Sequence, residues 1–507
     1  MDARVPPAAE APSAFVSLVP DPRRRLLAFA LLMGGMFMAT LDNQIVSTAL
    51  PTIVGEFGEL ERFAWVGSAY LLAVSTVMPF YGKLGDLFGR KYVMMAAIFV
   101  FTLGSLVCGL AGSMNQLIAA RVLQGLGGGG IMVSIFSINA DMFEPRVRAR
   151  YQSYSSLMLM AAGAIGPTLG GVLSDVFGWR SIFLVNLPIG IIVLAGLALI
   201  LPNRKPDRKP EIDYAGAILL AGAVACVVLW ADGSQLFGSL LSVGSAAVAA
   251  TGIAFAIAWV VVERRVAEPI IPLSLFRNPT ISLLLVVSLV SGAVGIGSVN
   301  YIALFLQTTT GLTPSQAGLL FIALTGGIAA GSLTAGRLIS LTGRYKIFAM
   351  ISTTGSTVTF LIFSTLHAGT PIYLIAMVMV LQGLSVGFGQ QVPVVGVQNA
   401  TDPRDVGAAT GAVTLTRMAG ASIAISIYGA VLSSYMLGQG VDIPGVASID
   451  QLTPADMAAL PAHSQEMIAE TYTRAFQPVF LSMAGLIAIG LVAALSLRNI
   501  RLPTSKP

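Results

Sequence analysis

Three ionisable side chains, Asp42, Arg121 and Arg417, stand inside long apolar runs of this chain. An ion within a membrane span costs roughly 2.5 to 3.5 kcal/mol on insertion scales, so each is a candidate for holding or moving charge. Asp42 lies about 24 Å along the first run, within a hydrocarbon core of about 30 Å. The run holding Arg121 is read in the opposite direction, which places its guanidinium about 9 Å below the same surface. Acid and base therefore arrive at comparable depth. Burial raises a carboxyl's proton affinity and a neighbouring cation lowers it. Asp42 in a cavity wetted alternately from either side would load and release a proton, and would also attract a cationic substrate. Two readings of the pair stay open: this proton- or substrate-linked role, and a buried ion pair that fixes helix register. Arg417, near the middle of its run, is either a cavity residue or a donor to backbone carbonyls. Asn43, Gln44, Gln124, Asn186, Asn300, Gln307, Gln382, Gln390 and Gln391 add neutral polar atoms within the runs. They are candidates for a substrate cavity, although each alone reads more simply as an interhelical hydrogen bond.

The composition says what must position these groups. Of 507 residues, 55% are apolar and 10% charged, whereas a soluble domain carries roughly a quarter charged residues. That excludes an ordinary soluble enzyme, and the 54 glycines suit helices packed closely in lipid. The net charge of +5 directs attention to where the basic residues sit and not to nucleic acid. Cys108 and Cys226 both fall in apolar runs, so neither a disulfide framework nor a metal site is expected. No cluster of nucleophile, base or metal ligands suggests an enzyme.

Apolar runs separated by charged or Pro/Gly-rich punctuation predict fourteen spans. With the N-terminus inside, all but five of the 29 lysines and arginines fall in inside segments or tails. Both termini are therefore expected in the cytoplasm. The run after Arg23, Arg24 and Arg25 is too long for a secretory signal and holds Asp42, so it reads as an uncleaved first span.

The chain also repeats itself. Val122-Leu-Gln-Gly-Leu-Gly127 returns as Val380-Leu-Gln-Gly-Leu-Ser385, 258 residues on, and Gly82-x-Leu84-x-Asp86-x-x-Gly89-Arg90 returns as Gly336-x-Leu338-x-Ser340-x-x-Gly343-Arg344, 254 residues on. Two matches at nearly one offset indicate a duplicated unit, a transporter design with its site between the halves. The expected organisation is a cytoplasmic tail over 1–25 and a six-helix bundle over 26–201. Cytoplasmic linkers with an inserted helix pair follow over 202–278, then a second six-helix bundle over 279–497 and a cytoplasmic tail over 498–507. The second bundle carries an external loop over 436–474, where Thr453-Pro454 and Asp456 resemble a helix start. Gly163, Gly166-Pro167 and Gly170-Gly171 thin one segment of the fifth run and remove a backbone donor, which suits a kink or close approach. The glycine run 125–130 matches a dinucleotide fingerprint only formally, because it lies inside a span, and no phosphate-binding P-loop exists. Asn399-Ala400-Thr401 matches a glycosylation sequon, but the topology puts it inside.

These residues carry a resemblance. Gly82-Lys-Leu-Gly-Asp86-Leu-Phe-Gly89-Arg90-Lys91 is similar to the signature loop between spans 2 and 3 of the major facilitator superfamily. Together with Leu41-Asp42 to Pro51, Arg121-Val-Leu-Gln-Gly125, Gly166-Pro167-x-x-Gly170-Gly171 and Trp179 to Pro188, it makes the chain resemble the fourteen-helix drug:proton antiporter family of that superfamily, over most of residues 26–497. The resemblance implies an all-α membrane protein whose two bundles rock to expel substrate in exchange for protons. It assigns proton coupling to Asp42 and Arg121, the antiporter motif to Gly166 and Pro167 with Gly170 and Gly171, and a cytoplasmic latch to Asp86 and Arg90 within Gly82, Gly89 and Lys91. Asn43-Gln44 replaces the small hydroxyl residues common after the acid, Ala162 replaces a glycine, and span 10 lacks the acid that some dicationic-drug carriers add.

The expected activity is proton-driven export of amphipathic, lipophilic or monocationic drugs from the cell's inner membrane, with antibiotic resistance as the consequence. No cofactor other than the proton gradient and no metal is expected. The partners are a small lipophilic substrate, protons and the bilayer, not nucleic acid; a periplasmic adaptor is not readable. Export of one metabolite, siderophore or lipid is an alternative, and a non-transporting receptor or scaffold is another of a different class.

Overall fold

Backbone amides in hydrocarbon must bond within their own segment, so the apolar runs have to fold as helices. They do so in the computed structural model, which describes residues 17–57, 63–203, 213–231, 237, 242–310, 312, 314–439 and 461–502. In chain order the helices are α1 (Pro22–Phe57), α2 (Phe63–Phe88), α3 (Arg90–Gly109), α4 (Met114–Met142), α5 (Pro145–Phe177), α6 (Ser181–Leu184), α7 (Asn186–Ile200), α8 (Tyr214–Ala231) and α9 (Val243–Glu263). A 3-10 turn over Leu273–Arg277 leads to α10 (Pro279–Gly295), α11 (Val299–Thr309), α12 (Pro314–Thr342), α13 (Lys346–Phe363), α14 (Ile372–Gly389), α15 (Val392–Ala400), α16 (Val406–Gln439) and α17 (Ala462–Ser496). Ten helices among the described residues are long and apolar enough to cross a membrane. Gly89 alone joins α2 to α3 at φ 94°, a left-handed geometry in which a Cβ would be strained.

Helices α1 to α7 pack on one another, as do α10 to α17, while α8 and α9 lie side by side, with α8 against α2 and α16. The two groups meet through α5 on α12 and α2 on α16. One end of the molecule carries the α2–α3 turn and the Arg146/Arg148/Arg150 cluster, and is called here the basic end. At this end one apolar core runs through both groups, joining Leu32 and Ile135 to Leu284, Val394 and Val413. Farther from it the core divides. Leu41, Ile45, Val66 and Phe183 form a cluster in the first group only, and Val290, Phe305, Phe360 and Phe480 form one in the second only. The groups are thus joined at the basic end and hold separate cores toward the other.

Glycine sets how closely the helices approach. A Cβ on Gly127 would lie 2.3 Å from the backbone N of Phe101 and 2.6 Å from the carbonyl of Ala97, so α3 and α4 touch backbone to backbone. Overpacking of this kind costs about 1–3 kcal/mol. Gly127→Val is therefore expected to lower the thermal midpoint in detergent; an unchanged midpoint would mean the two helices part freely.

Several run boundaries differ from expectation. The run 279–307 is not one helix: residues 296–298 form a turn between α10 and α11. The run 371–392 continues to Ala400 after a break at Gln390 and Gln391. Helix α1 persists to Phe57, beyond the end of its apolar run. There Trp179 Nε1 donates to Glu56 Oε2 at 2.6 Å and Arg180 Nη2 to Glu56 Oε1 at 2.8 Å, tying α1 to the α5–α6 turn. The helix start expected at Thr453–Asp456 and most of the linker 202–213 lie outside the described residues.

Candidate functional site

Asp42 and Arg121 meet. Arg121 Nη1 donates to Asp42 Oδ2 at 2.6 Å, and both side chains are 0% exposed. Asp42 Oδ1 accepts from Gln124 Nε2 at 2.7 Å and from Asn186 Nδ2 at 2.8 Å. Gln124 stands one turn along α4 from Arg121, so both reach α1 together, while Asn186 opens α7. Gln124 also accepts from Arg121 Nη1 at 2.6 Å and donates to Ser105 Oγ of α3 at 2.6 Å. Arg121 Nε donates to the carbonyl of Val66 at 3.1 Å, and its guanidinium lies over the Tyr70 ring, 4.2 Å from the centroid. The cage thus ties α1, α2, α3, α4 and α7 around one carboxylate. Ser105 and Tyr70 went unremarked in the sequence because a small hydroxyl or a tyrosine in an apolar run carries no signal of what it faces.

This geometry corrects the picture of an acid lining a wetted cavity. Asp42 is enclosed within the first helix group, and so are Gln124 and Asn186, which are ligands of that carboxylate and not walls of an opening. Gln382 is likewise internal, accepting from the Thr359 hydroxyl between α13 and α14. Asn43 is exposed, and Gln44 and Gln307 are half-buried. The side chains of Asn300 and Pro167 lie outside the described residues. Gly166 sits over α1, where a Cβ would come 2.5 Å from Gln44 Cβ; Gly170 is buried, and Gly171 faces open space. The span 5 glycines therefore bring α5 against the stretch just beyond Asp42.

At the basic end the signature loop reaches the other helix group. Asp86 Oδ1 accepts from the Gly407 N–H at 3.1 Å and Oδ2 from the Ala408 N–H at 3.0 Å. Both donors lie in the first turn of α16, where free amides and the helix dipole favour an anion. Arg90 Nη2 holds Asp86 Oδ1 at 3.0 Å and Nη1 holds Asp141 Oδ1 at 2.7 Å. Gly82 lies where a Cβ would come 2.3 Å from the Gly407 carbonyl, so α2 and α16 close only without a side chain there. Lys91 caps α7, donating to the carbonyls of Ala198 at 2.7 Å and Leu201 at 2.6 Å. The echo of this loop has Ser340 in place of the acid, so the second repeat has no carboxylate at the position of Asp86.

Burial pushes the Asp86 carboxyl up to about 6, against the pull of Arg90 and the Ala408 amide. A raised value here means the latched state binds a proton more readily than one in which Asp86 is solvated. Latching should therefore strengthen as pH falls through 6 and weaken as pH rises through it. Spin labels at Arg150 and Leu341, both exposed on α5 and α12, should report a growing short-distance population on acidification. Asp86→Asn should flatten that response. The opposite slope would contradict the assignment.

Toward the membrane middle the seam continues in hydrogen bonds without a carboxylate. Arg148 Nη1 and Gln152 Nε2 both donate to Gln398 Oε1, at 3.5 and 3.0 Å. Ser156 Oγ lies 2.8 Å from Ser332 Oγ and 2.8 Å from Gln390 Oε1. Behind Gln390, Arg417 Nη2 donates to its carbonyl at 2.8 Å. Among the described residues, hydrogen bonds between the two groups gather at the basic end, as the apolar core does.

Comparison with known proteins agrees with this arrangement. The family model of the Major Facilitator Superfamily matches residues 32–425. An uncharacterized MFS-type transporter of Mycobacterium tuberculosis is 34% identical over 493 residues, covering 95% of this chain and 71% of that protein. Multidrug resistance protein 3 of Bacillus subtilis is 30% identical over 403 residues, covering 79% of this chain and 78% of its own. The crystal structure of the human organic anion transporter MFSD10 has the same fold, with a TM-score of 0.63 at 15% identity, covering 94% of this chain and 100% of that one.

Proposed function

The chain belongs to the major facilitator superfamily, and from that premise we propose that it is a secondary exporter of amphipathic, lipophilic compounds that exchanges them for protons by alternating access. It is a transporter and not an enzyme. The finer reading is membership of the fourteen-helix drug:proton antiporter branch, with six helices in each half and α8 and α9 as the inserted pair. The basic end faces the cytoplasm, as the distribution of lysine and arginine argues, and the membrane is the inner one. The observation that carries this reading is the divided core: the halves share one core at the basic end and hold separate ones beyond it. That is the packing of an outward-facing state, in which cargo has left the cytoplasmic side. Asp86 and the Ser156, Ser332 and Gln390 contacts then act as the cytoplasmic gate.

In this reading Asp42 exchanges its proton when the cage opens and Arg121, Gln124 and Asn186 part from it. The monocationic part of the expected cargo loses its ground, since the acid that would attract a cation is already neutralised. A second reading is favoured by the 0% exposure of Asp42 and Arg121: the pair pins α1 to α4 and carries no proton. Purified protein in liposomes under an imposed pH gradient tests the export reading. Uphill movement of a lipophilic dye with matching proton release is expected; dye movement indifferent to the gradient would leave a uniporter, and none would leave a scaffold.

A further inference from the structure

Arg417 is the ion that neither the cage nor the latch uses. Its Nη2 caps the carbonyl of Gln390, where α14 breaks, but its Nε has no partner. Among the described residues no carboxylate lies within ion-pair distance of it, whereas Asp42 is neutralised by Arg121 and Asp86 by Arg90. The side chain is partly exposed. Its direction follows from its neighbours on α16. Leu415, Thr416, Met418 and Ala419 face a cavity of about 600 Å³ against α8 and α9. Arg417 instead reaches the α14 break, whose Gln390 side chain touches Ser156 of the other half. It therefore stands next to the seam between the halves, behind the innermost of the gate contacts, which in the outward-facing reading is the floor of the cleft.

A lone guanidinium in a low-dielectric setting repels a cation and draws an anion far more strongly than it would in water, and its planar fork fits carboxylate, sulfonate and phosphate groups. The cap explains one nitrogen of Arg417 and leaves its charge unexplained. We infer that Arg417 is the substrate-recognition residue of the cleft and that the preferred cargo is an amphipathic organic anion. This rests on the exporter reading and names the charge of its substrate.

The test uses the full chain in nanodiscs of zwitterionic lipid, with anilinonaphthalene sulfonate as the anion and tetraphenylphosphonium as the cation, bound at equilibrium. Arg417→Gln should weaken sulfonate binding roughly tenfold or more and strengthen phosphonium binding, while Arg417→Lys keeps the wild-type preference. Added phosphatidylglycerol that competes in the wild type and not in Arg417→Gln would make a lipid headgroup the source of the anion; no competition would make it a soluble amphiphile. Unchanged sulfonate binding in Arg417→Gln, or equal losses for both probes, overturns the inference and leaves a helix cap. If binding follows the charge at 417 but no anion crosses a bilayer under a pH gradient, the exporter reading fails and the anion site stands.

Discussion

Asp42→Asn is expected to reduce proton-coupled export to background. The carboxylate accepts Arg121, Gln124 and Asn186 at 2.6 to 2.8 Å without exposure to solvent. An asparagine keeps the shape and loses both the charge and the titrating proton. It also strands a buried guanidinium, and breaking a buried pair by removing one partner costs about 3–5 kcal/mol. The single variant should therefore be less stable as well as inactive, which confounds the two readings of the pair. Asp42→Asn combined with Arg121→Gln separates them, because removing both charges from a buried pair is often close to neutral for stability. With coupling residing in Asp42, the double variant should melt near the wild type and still fail to exchange protons for substrate. Restored uphill transport in the double variant would make the pair a structural pin.

The second large effect concerns the gate. Ser156 Oγ and Ser332 Oγ are 2.8 Å apart across the seam, so thiols at the two positions need only a small further approach to reach the sulfur–sulfur bond length of about 2.0 Å. Ser156→Cys with Ser332→Cys, in a chain whose half-buried Cys226 is replaced by serine, should crosslink on mild oxidation. Transport should then fall to background and return with reductant, because the seam must open for α5 and α12 to admit cargo. Undiminished transport by fully crosslinked protein would mean that the basic end never opens.

Much of the site was legible because depth along a span is simple arithmetic. Counting 1.5 Å per residue brought Asp42 and Arg121 to one level, and the structure joins them. What the arithmetic lacks is azimuth. Every face of these helices is apolar enough for lipid or protein, so Gln124, Asn186 and Gln382 stay cavity candidates in the sequence beside the simpler reading, interhelical hydrogen bonds, which they make within their own helix groups. The repeat at Gly82 and Gly336 gave the duplication. It did not reveal that Asp86 would end on the first turn of α16, a contact between segments 321 residues apart. Neither helix break carries a proline at its turn: residues 296–298 read Ile-Gly-Ser and residues 390–391 read Gln-Gln, sequences that ordinary spans also tolerate. The latch was legible through its resemblance; the polar layer of Ser156, Ser332 and Gln398 was not, because single hydroxyls and amides in apolar runs are common as packing.

The central claim is that the enclosed Asp42 carboxylate takes up and gives back a proton during the cycle. Infrared difference spectra of liposome-embedded protein, recorded on acidification and again on adding substrate, read that proton directly. A band from a buried protonated carboxyl should appear with acid, disappear with substrate, and be missing from the Asp42→Asn/Arg121→Gln double variant. Transport proceeding with no such band at any pH would contradict the claim.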